Sequence, residues 1–237
     1  MKVCNCGNCN HSDLCVKKVP IFSFLSEAEL KEIKDMTGHK EYKNGEILCQ
    51  EGERSETLFI INEGKVKLSR ITKDGKEQII RILSEGEFFG ELNLFTDENI
   101  YKFSVIAISK VKICTLTKED MDKILEKNSA IAFKILKEVT KKLSETEELA
   151  QNLATNDAEI RIAHMLLEFL DKYGEEKDGV SQIKLPINRE EMANYTGLTR
   201  ETISRKLSKL EDLGIIELKG NKIIVVKDRE ALVEYVE

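Results

Sequence analysis

Residues 185–226, LPINREEMANYTGLTRETISRKLSKLEDLGIIELKGNKIIVV, carry the densest structural signal in this chain of 237 residues. The spacing predicts a helix over about 189–195, a tight turn at Gly197, a second helix over about 199–212 and a stop at Gly214. Two apolar runs then alternate about Gly220-Asn221, the signature of a hairpin. Two short helices on a glycine turn make a helix-turn-helix, and the trailing hairpin makes it winged. Along the second helix Ile203, Leu207 and Leu210 share an inner face, while Arg200, Glu201, Ser204, Arg205 and Lys209 lie on the other side. Arg200, Arg205, Lys206 and Lys209 oppose a single acid, Glu201, within residues 200–209. The net charge of −6 excludes a globally basic protein, so this local cationic patch is what implies DNA.

Working upstream, the stretch 118–154 contains no glycine or proline and reads as one long helix. Ile131, Ile135, Val139, Leu143, Leu149 and Leu153 recur near every third or fourth position, a coiled-coil-like seam interrupted at Thr146. Lys and Glu flank it, and a second copy of the chain is its natural partner. Thr155-Asn156-Asp157 supplies a break and a cap, and the helix after it stops at Gly174. From about 40 to 116 the texture is instead short apolar alternation punctuated by Gly45, Gly52, Gly64, Gly75, Gly86 and Gly90. KDGK (73–76) is a hairpin turn within it, and the pattern indicates an antiparallel jelly-roll. Before this, Ser26 and Glu29 form a capping box for a short helix carrying Leu30, Ile33 and Met36.

The N-terminus crowds Cys4, Cys6, Cys9 and Cys15 together, with only Cys49 and Cys114 elsewhere. No apolar run reaches the roughly twenty residues that span a bilayer, and no secretory signal is present, which implies a cytoplasmic protein without a membrane partner. Thiols stay reduced there, so the cluster reads as metal-binding or redox-active before it reads as disulfides. Zinc on four thiolates, a disulfide switch through Cys4 or Cys6, and replacement of a thiolate by His11 or Asp13 all remain open at this point. Nothing favours an enzyme: there is no nucleophile–base pair or phosphate-cradling glycine loop, and His11, His39 and His164 stand apart in sequence.

NGEILCQEGE…LFIINEGKVKL, GELNLF (90–95) and LTRETISRKLSKLEDLGII together resemble the family of the cyclic-AMP receptor protein and the fumarate-and-nitrate-reduction regulator, CRP/FNR. The resemblance covers nearly the whole chain and implies an α+β architecture. It divides into a cysteine-rich segment (1–20), a cyclic-nucleotide-binding-like β-roll (21–117), a dimerisation helix (118–154) and a winged helix-turn-helix domain (155–237). It further implies a homodimer that binds a palindromic site and contacts RNA polymerase. Cyclic-AMP-binding members hold the nucleotide with a Gly-Glu-Leu segment and a following Arg-Ser pair. Here Gly90, Glu91 and Leu92 are present, but no arginine occurs between Arg81 and Arg161. Lys102 offers charge without the planar fork, so the segment reads as vestigial and cyclic AMP is not expected as effector.

Cys6-x2-Cys9-x5-Cys15 is similar to the ligand spacing of the FNR-type oxygen sensors, which carry a 4Fe–4S cluster on three N-terminal cysteines and one from the roll. The resemblance gives Cys114 the fourth position and leaves Cys4 and Cys49 without a role. It implies sensing of oxygen or nitric oxide. The alternative is a small-molecule effector in the roll, or a thiol switch, with no cluster. Glu201 and Arg205 would read the shared GA core. Arg200 resembles the cyclic-AMP receptor reader and Ser204 the FNR reader, so half-sites of TGTGA or TTGAT type are both expected.

Overall fold

The computed structural model describes residues 19–96, 99–154, 157–177 and 180–236. It divides into two compact units, residues up to Arg70 with Ile80–Leu143, and Ile71–Ile79 with Ser144 onward.

The first unit opens with α1 (Glu27–Met36), whose capping box is formed as its sequence predicts: Ser26 Oγ accepts from the Glu29 amide and Glu29 Oε2 accepts from the Ser26 amide. Strands β1 (Gly38–Tyr42), β2 (Ile47–Cys49), β3 (Thr57–Glu63), β4 (Val66–Ile71), β5 (Glu77–Leu83) and β6 (Phe88–Phe89) follow. The short helix α2 (Glu91–Phe95) then precedes β7 (Ser104–Ala107) and β8 (Val111–Thr117). They build two four-stranded sheets, ordered β1-β8-β3-β6 and β2-β7-β4-β5. β8 runs antiparallel to β1 and β3, and β7 antiparallel to β2 and β4. This is the expected roll.

Strand alternation sends successive side chains of β3 and β8 to opposite faces. Phe59, Ile61, Val111 and Ile113 enter one core with Cys49, Phe89, Tyr101 and Val105. Leu58, Ile60, Cys114 and Leu116 enter the other, with Val19, Ile21, Phe22, Leu30 and Ile33. Both faces of the central strands are therefore dry, which fixes their register.

The stretch 118–154 is not one helix. α3 (Lys118–Lys127), capped by a Thr117/Asp120 box, ends at Asn128, and α4 (Ala130–Ala154) begins anew. Met121 and Ile124 of α3 and Ile131 and Ile135 of α4 join the same cluster on the roll, and this shared seat sets the break. Ile131 and Ile135, expected on the dimer seam, are buried in the roll cluster of their own chain, and Val139 packs against it. Phe133 and Leu136, turned away from that seat, are exposed, as is Leu143, one turn beyond Val139. The side chains of Leu149 and Leu153 lie outside the described residues.

In the second unit, α5 (Ala158–Tyr173) starts on Asp157, whose carboxylate accepts from the Glu159 amide, and is capped by Gly174. Next come β9 (Gly174–Lys177), β10 (Val180–Lys184), α6 (Arg189–Thr196) and α7 (Arg200–Asp212). β11 (Ile216–Lys219), β12 (Ile223–Val226) and α8 (Arg229–Glu234) complete the chain, and the four strands pair in the order β11-β12-β10-β9. β9 has the sequence GEEK and is exposed throughout, so it gives no apolar alternation to read in advance.

Candidate functional site

The described residues offer three functional places, each built by local chemistry. The first is α7. Asn188 and Glu191 cap α6 reciprocally at 3.0 Å, and Gly197 ends it with φ 67°, a left-handed turn that a side chain would strain. Thr199 Oγ1 then accepts from the Thr202 amide and starts α7. Ile203, Leu207 and Leu210 are buried, so α7 has one permitted orientation, and Arg200, Glu201, Ser204, Arg205 and Lys209 are all exposed. Tyr195 Oη donates to Glu168 at 2.6 Å and Arg161 donates to the Thr196 carbonyl, fixing α6 to α5. The wing is tied to α7 by the Leu218 amide on Glu211, 2.8 Å.

One residue outside the motif enters this surface. Glu159 Oε1, in the first turn of α5, lies 2.5 Å from Lys206 Nζ and 2.7 Å from Lys209 Nζ. Hydrogen bonds from Lys206 and then Lys209 hold its carboxyl below the usual carboxylate range, and the same contact raises Lys209. Lys209, which the sequence suggests as an open cation on the DNA face, is thus already engaged.

The second place is the Gly-Glu-Leu segment. Gly90 has φ 90°, and a Cβ there would collide with the Thr57 carbonyl oxygen, so only glycine fits. The turn presents Glu91 inward, where Lys142 of α4 meets Glu91 Oε1 at 2.9 Å and the Phe88 carbonyl at 2.8 Å. The ammonium also stands 4.0 Å over the Phe88 ring. Burial lowers the Lys142 pKa, while Glu91 opposes the shift. Arg81 donates to the Lys142 carbonyl at 2.9 Å, pinning the helix a second time. Inside the roll, Phe59 and Phe89 stack at 4.8 Å and Tyr101 is 2% exposed. Among the described residues, aromatic side chains fill much of that core. Lys102 is exposed, and Leu92 points outward beside Glu91.

The third place is Cys114. Cys6, Cys9 and Cys15, together with Cys4, His11 and Asp13, lie outside the described residues. Cys114 is buried on β8, its Sγ 3.4 Å from His39 Nδ1 on the paired strand β1. Burial, with Lys34 nearby, lowers the His39 pKa and favours the neutral ring. Val19, Ile21 and Phe22, the residues that follow the cysteine segment, belong to the same apolar cluster as Cys114. Val19 is four positions beyond Cys15, a reach of at most about 14 Å. Cys49 lies in the other core, its thiol pushed up to about 11 by burial. Of the two roll cysteines, Cys114 and not Cys49 shares its cluster with Val19, Ile21 and Phe22, the first described residues after the cysteine segment. Among the described residues no three His, Cys, Asp or Glu side chains gather as a metal site. No described helix is long and apolar enough to cross a membrane.

Neither Glu159 nor Lys142 is visible in the sequence motifs. Lys206 and Lys209 are spaced for one helix face, but their partner comes from another helix.

Comparison with known proteins agrees with this architecture. A cyclic nucleotide-binding domain model matches residues 39–128, and a Crp-like helix-turn-helix domain model matches residues 160–235. The cAMP-activated global transcriptional regulator CRP of Pasteurella multocida is 32% identical over 191 residues, spanning 81% of this chain and 90% of that protein. The nitrogen fixation regulation protein FixK of Bradyrhizobium diazoefficiens is 28% identical over 207 residues, 87% of this chain and 86% of that one. The structure of FixK2 from Bradyrhizobium japonicum superposes with a TM-score of 0.75 at 25% identity, covering 85% of this chain and 98% of that chain.

Proposed function

Since the chain belongs to the CRP/FNR family of DNA-binding transcription regulators, we propose that it is a homodimeric sensor of oxygen or nitric oxide. A 4Fe–4S cluster on Cys6, Cys9, Cys15 and Cys114 would supply an oxidant-labile centre. The regulator reads a palindromic promoter site through α7 and contacts RNA polymerase. One observation carries the sensing reading: Cys114, the start of the described chain at Val19–Phe22, and Ile131 and Ile135 of α4 all share a single apolar cluster. A thiol in that cluster is in a position to bias how α4 is seated, because close-packed interiors transmit small displacements. The exposed apolar side chains of α4, Phe133, Leu136 and Leu143, support a second copy as partner.

Colour tests the proposal. Protein purified without air is expected to be brown, with broad visible absorbance and four irons per chain. Cys114→Ser should lose the iron and Cys49→Ser should keep it. Colourless protein binding zinc, or iron lost in the Cys49 variant alone, overturns the assignment. The match of residues 39–128 to a cyclic nucleotide-binding model favours a second reading, an organic effector in the roll. The buried Tyr101 and the Glu91–Lys142 pair weigh against it. Calorimetry should find no micromolar binding of cyclic AMP.

A further inference from the structure

α7 carries four cations on residues 200–209, yet two of them converge on one oxygen of one carboxylate. Lys206 and Lys209 are one turn apart, and Glu159 Oε1 accepts from both. The three side chains are unequal in exposure: Glu159 is 14% exposed, Lys206 23% and Lys209 52%. Glu159 is therefore the enclosed hub and Lys209 the arm that faces water. Glu159 is well placed to stay ionised, since it occupies the first turn of α5, where the helix dipole favours negative charge.

We infer that Glu159 is a specificity-determining residue of the DNA reader, holding Lys206 and Lys209 away from the phosphate backbone so that base contacts dominate binding. The inference rests on DNA binding through α7 and adds a role that the recognition motif does not contain. Phosphate contacts supply affinity without sequence information, and each one strengthens binding to every competing stretch of duplex. A regulator gains selectivity by limiting them, because the useful quantity is the ratio of specific to non-specific affinity. With Glu159 charged, the trio presents one net positive charge in place of two. Arg200 and Arg205, which the clamp does not touch, keep their freedom to meet base edges.

The test is binding of the full chain to its selected palindrome and to a random-sequence duplex across a salt series, wild type against Glu159→Gln. The isosteric amide should bind the random duplex roughly three- to tenfold more tightly near 0.1 M salt. Its log–log salt slope should steepen by about 0.9 for each phosphate contact recruited. Cognate affinity should rise less, so the specificity ratio falls. Unchanged or weaker random-duplex binding by Glu159→Gln overturns the inference. Adding Lys206→Gln and Lys209→Gln to Glu159→Gln should return the slope to the wild-type value; a slope that stays steep shows simple loss of repulsion and also overturns it. Lys209→Gln alone, a surface change that spares the core, should leave the random-duplex slope nearly unaltered. A slope reduced by about 0.9 per protomer would show that Lys209 already contacts phosphate, against the clamp. If the wild type bound no duplex at all, DNA reading itself would have failed.

Discussion

The ammonium of Lys142 on α4 lies 2.9 Å from Glu91 Oε1 at the head of α2, with side chains only 17% and 9% exposed. In so dry a place, removing one partner strands the other as an uncompensated charge, at a cost of about 3 kcal/mol. Lys142→Met is expected to lower unfolding stability by about that amount. Combining it with Glu91→Leu should recover much of the loss, because the apolar pair needs no desolvation of charge. Denaturant unfolding of the singles and the double closes the cycle. Additive effects would show that the pair does not bind α4 to the roll.

The two sides of α4 should separate folding from assembly. Ile135 packs in the roll core, whereas Leu136, its neighbour, is 61% exposed. Ile135→Ala should cost about 2–4 kcal/mol of stability as a cavity forms. Leu136→Glu should leave the melting behaviour of the roll in place and shift sedimentation to the monomer, as charge enters an apolar seam. A Leu136→Glu protein that sediments as a tight dimer would put the dimer elsewhere.

The DNA-reading unit was legible in the sequence because its punctuation is local. Asn188, Gly197 and Thr199 each act within three residues of themselves, so caps and turn could be read without a structure. The roll was legible through its glycine turns and strand alternation for the same reason. The sidedness of α4 was not. Ile131/Ile135/Val139 and Phe133/Leu136 are apolar positions on two sides of one helix, and periodicity alone does not say which meets its own domain. Nor does it reveal the break at Asn128, where no glycine or proline stands and the shared seat on the roll decides. The charges that matter most were hidden by distance: Lys142 and Glu91 are 51 positions apart, Lys206 and Glu159 47.

Acid should weaken the C-terminal unit in a defined window. The folded chain holds the Glu159 carboxyl below the ordinary glutamate pKa of about 4.5, first through the Lys206 hydrogen bond and then through Lys209. The unfolded chain therefore binds more protons between the two values, and stability falls as pH drops through and below about 4.5. Glu217 is lowered likewise by Lys227, so acid sensitivity has more than one source. Glu159→Gln should lower stability at neutral pH by the ion pair's share and lack that share of the acid-induced fall, so its pH–stability curve approaches the wild-type curve below about pH 4.5. A curve with unchanged steepness in that window would contradict the ion-paired carboxylate.

The proposed base readout centres on Glu201 and Arg205. They are one turn apart on an exposed face of α7, the orientation of which is set by the burial of Ile203, Leu207 and Leu210. Arginine donates two hydrogen bonds to guanine O6 and N7, and glutamate accepts from cytosine N4, so together they suit a step containing G·C. In the proposed homodimer, symmetry would place two half-sites about one helical turn apart. Arg205→Ala should cost about 1–3 kcal/mol at the selected site and relax preference at the core guanine, since the lost contact is to a base edge. It should change the salt slope little, in contrast to Glu159→Gln, which should change the slope more than the base preference. Selection from random duplexes, run with wild type and both variants, reads the two effects in one experiment. Recovery of no palindrome, or an Arg205→Ala protein with undiminished preference for the core guanine, would remove Arg205 from base reading.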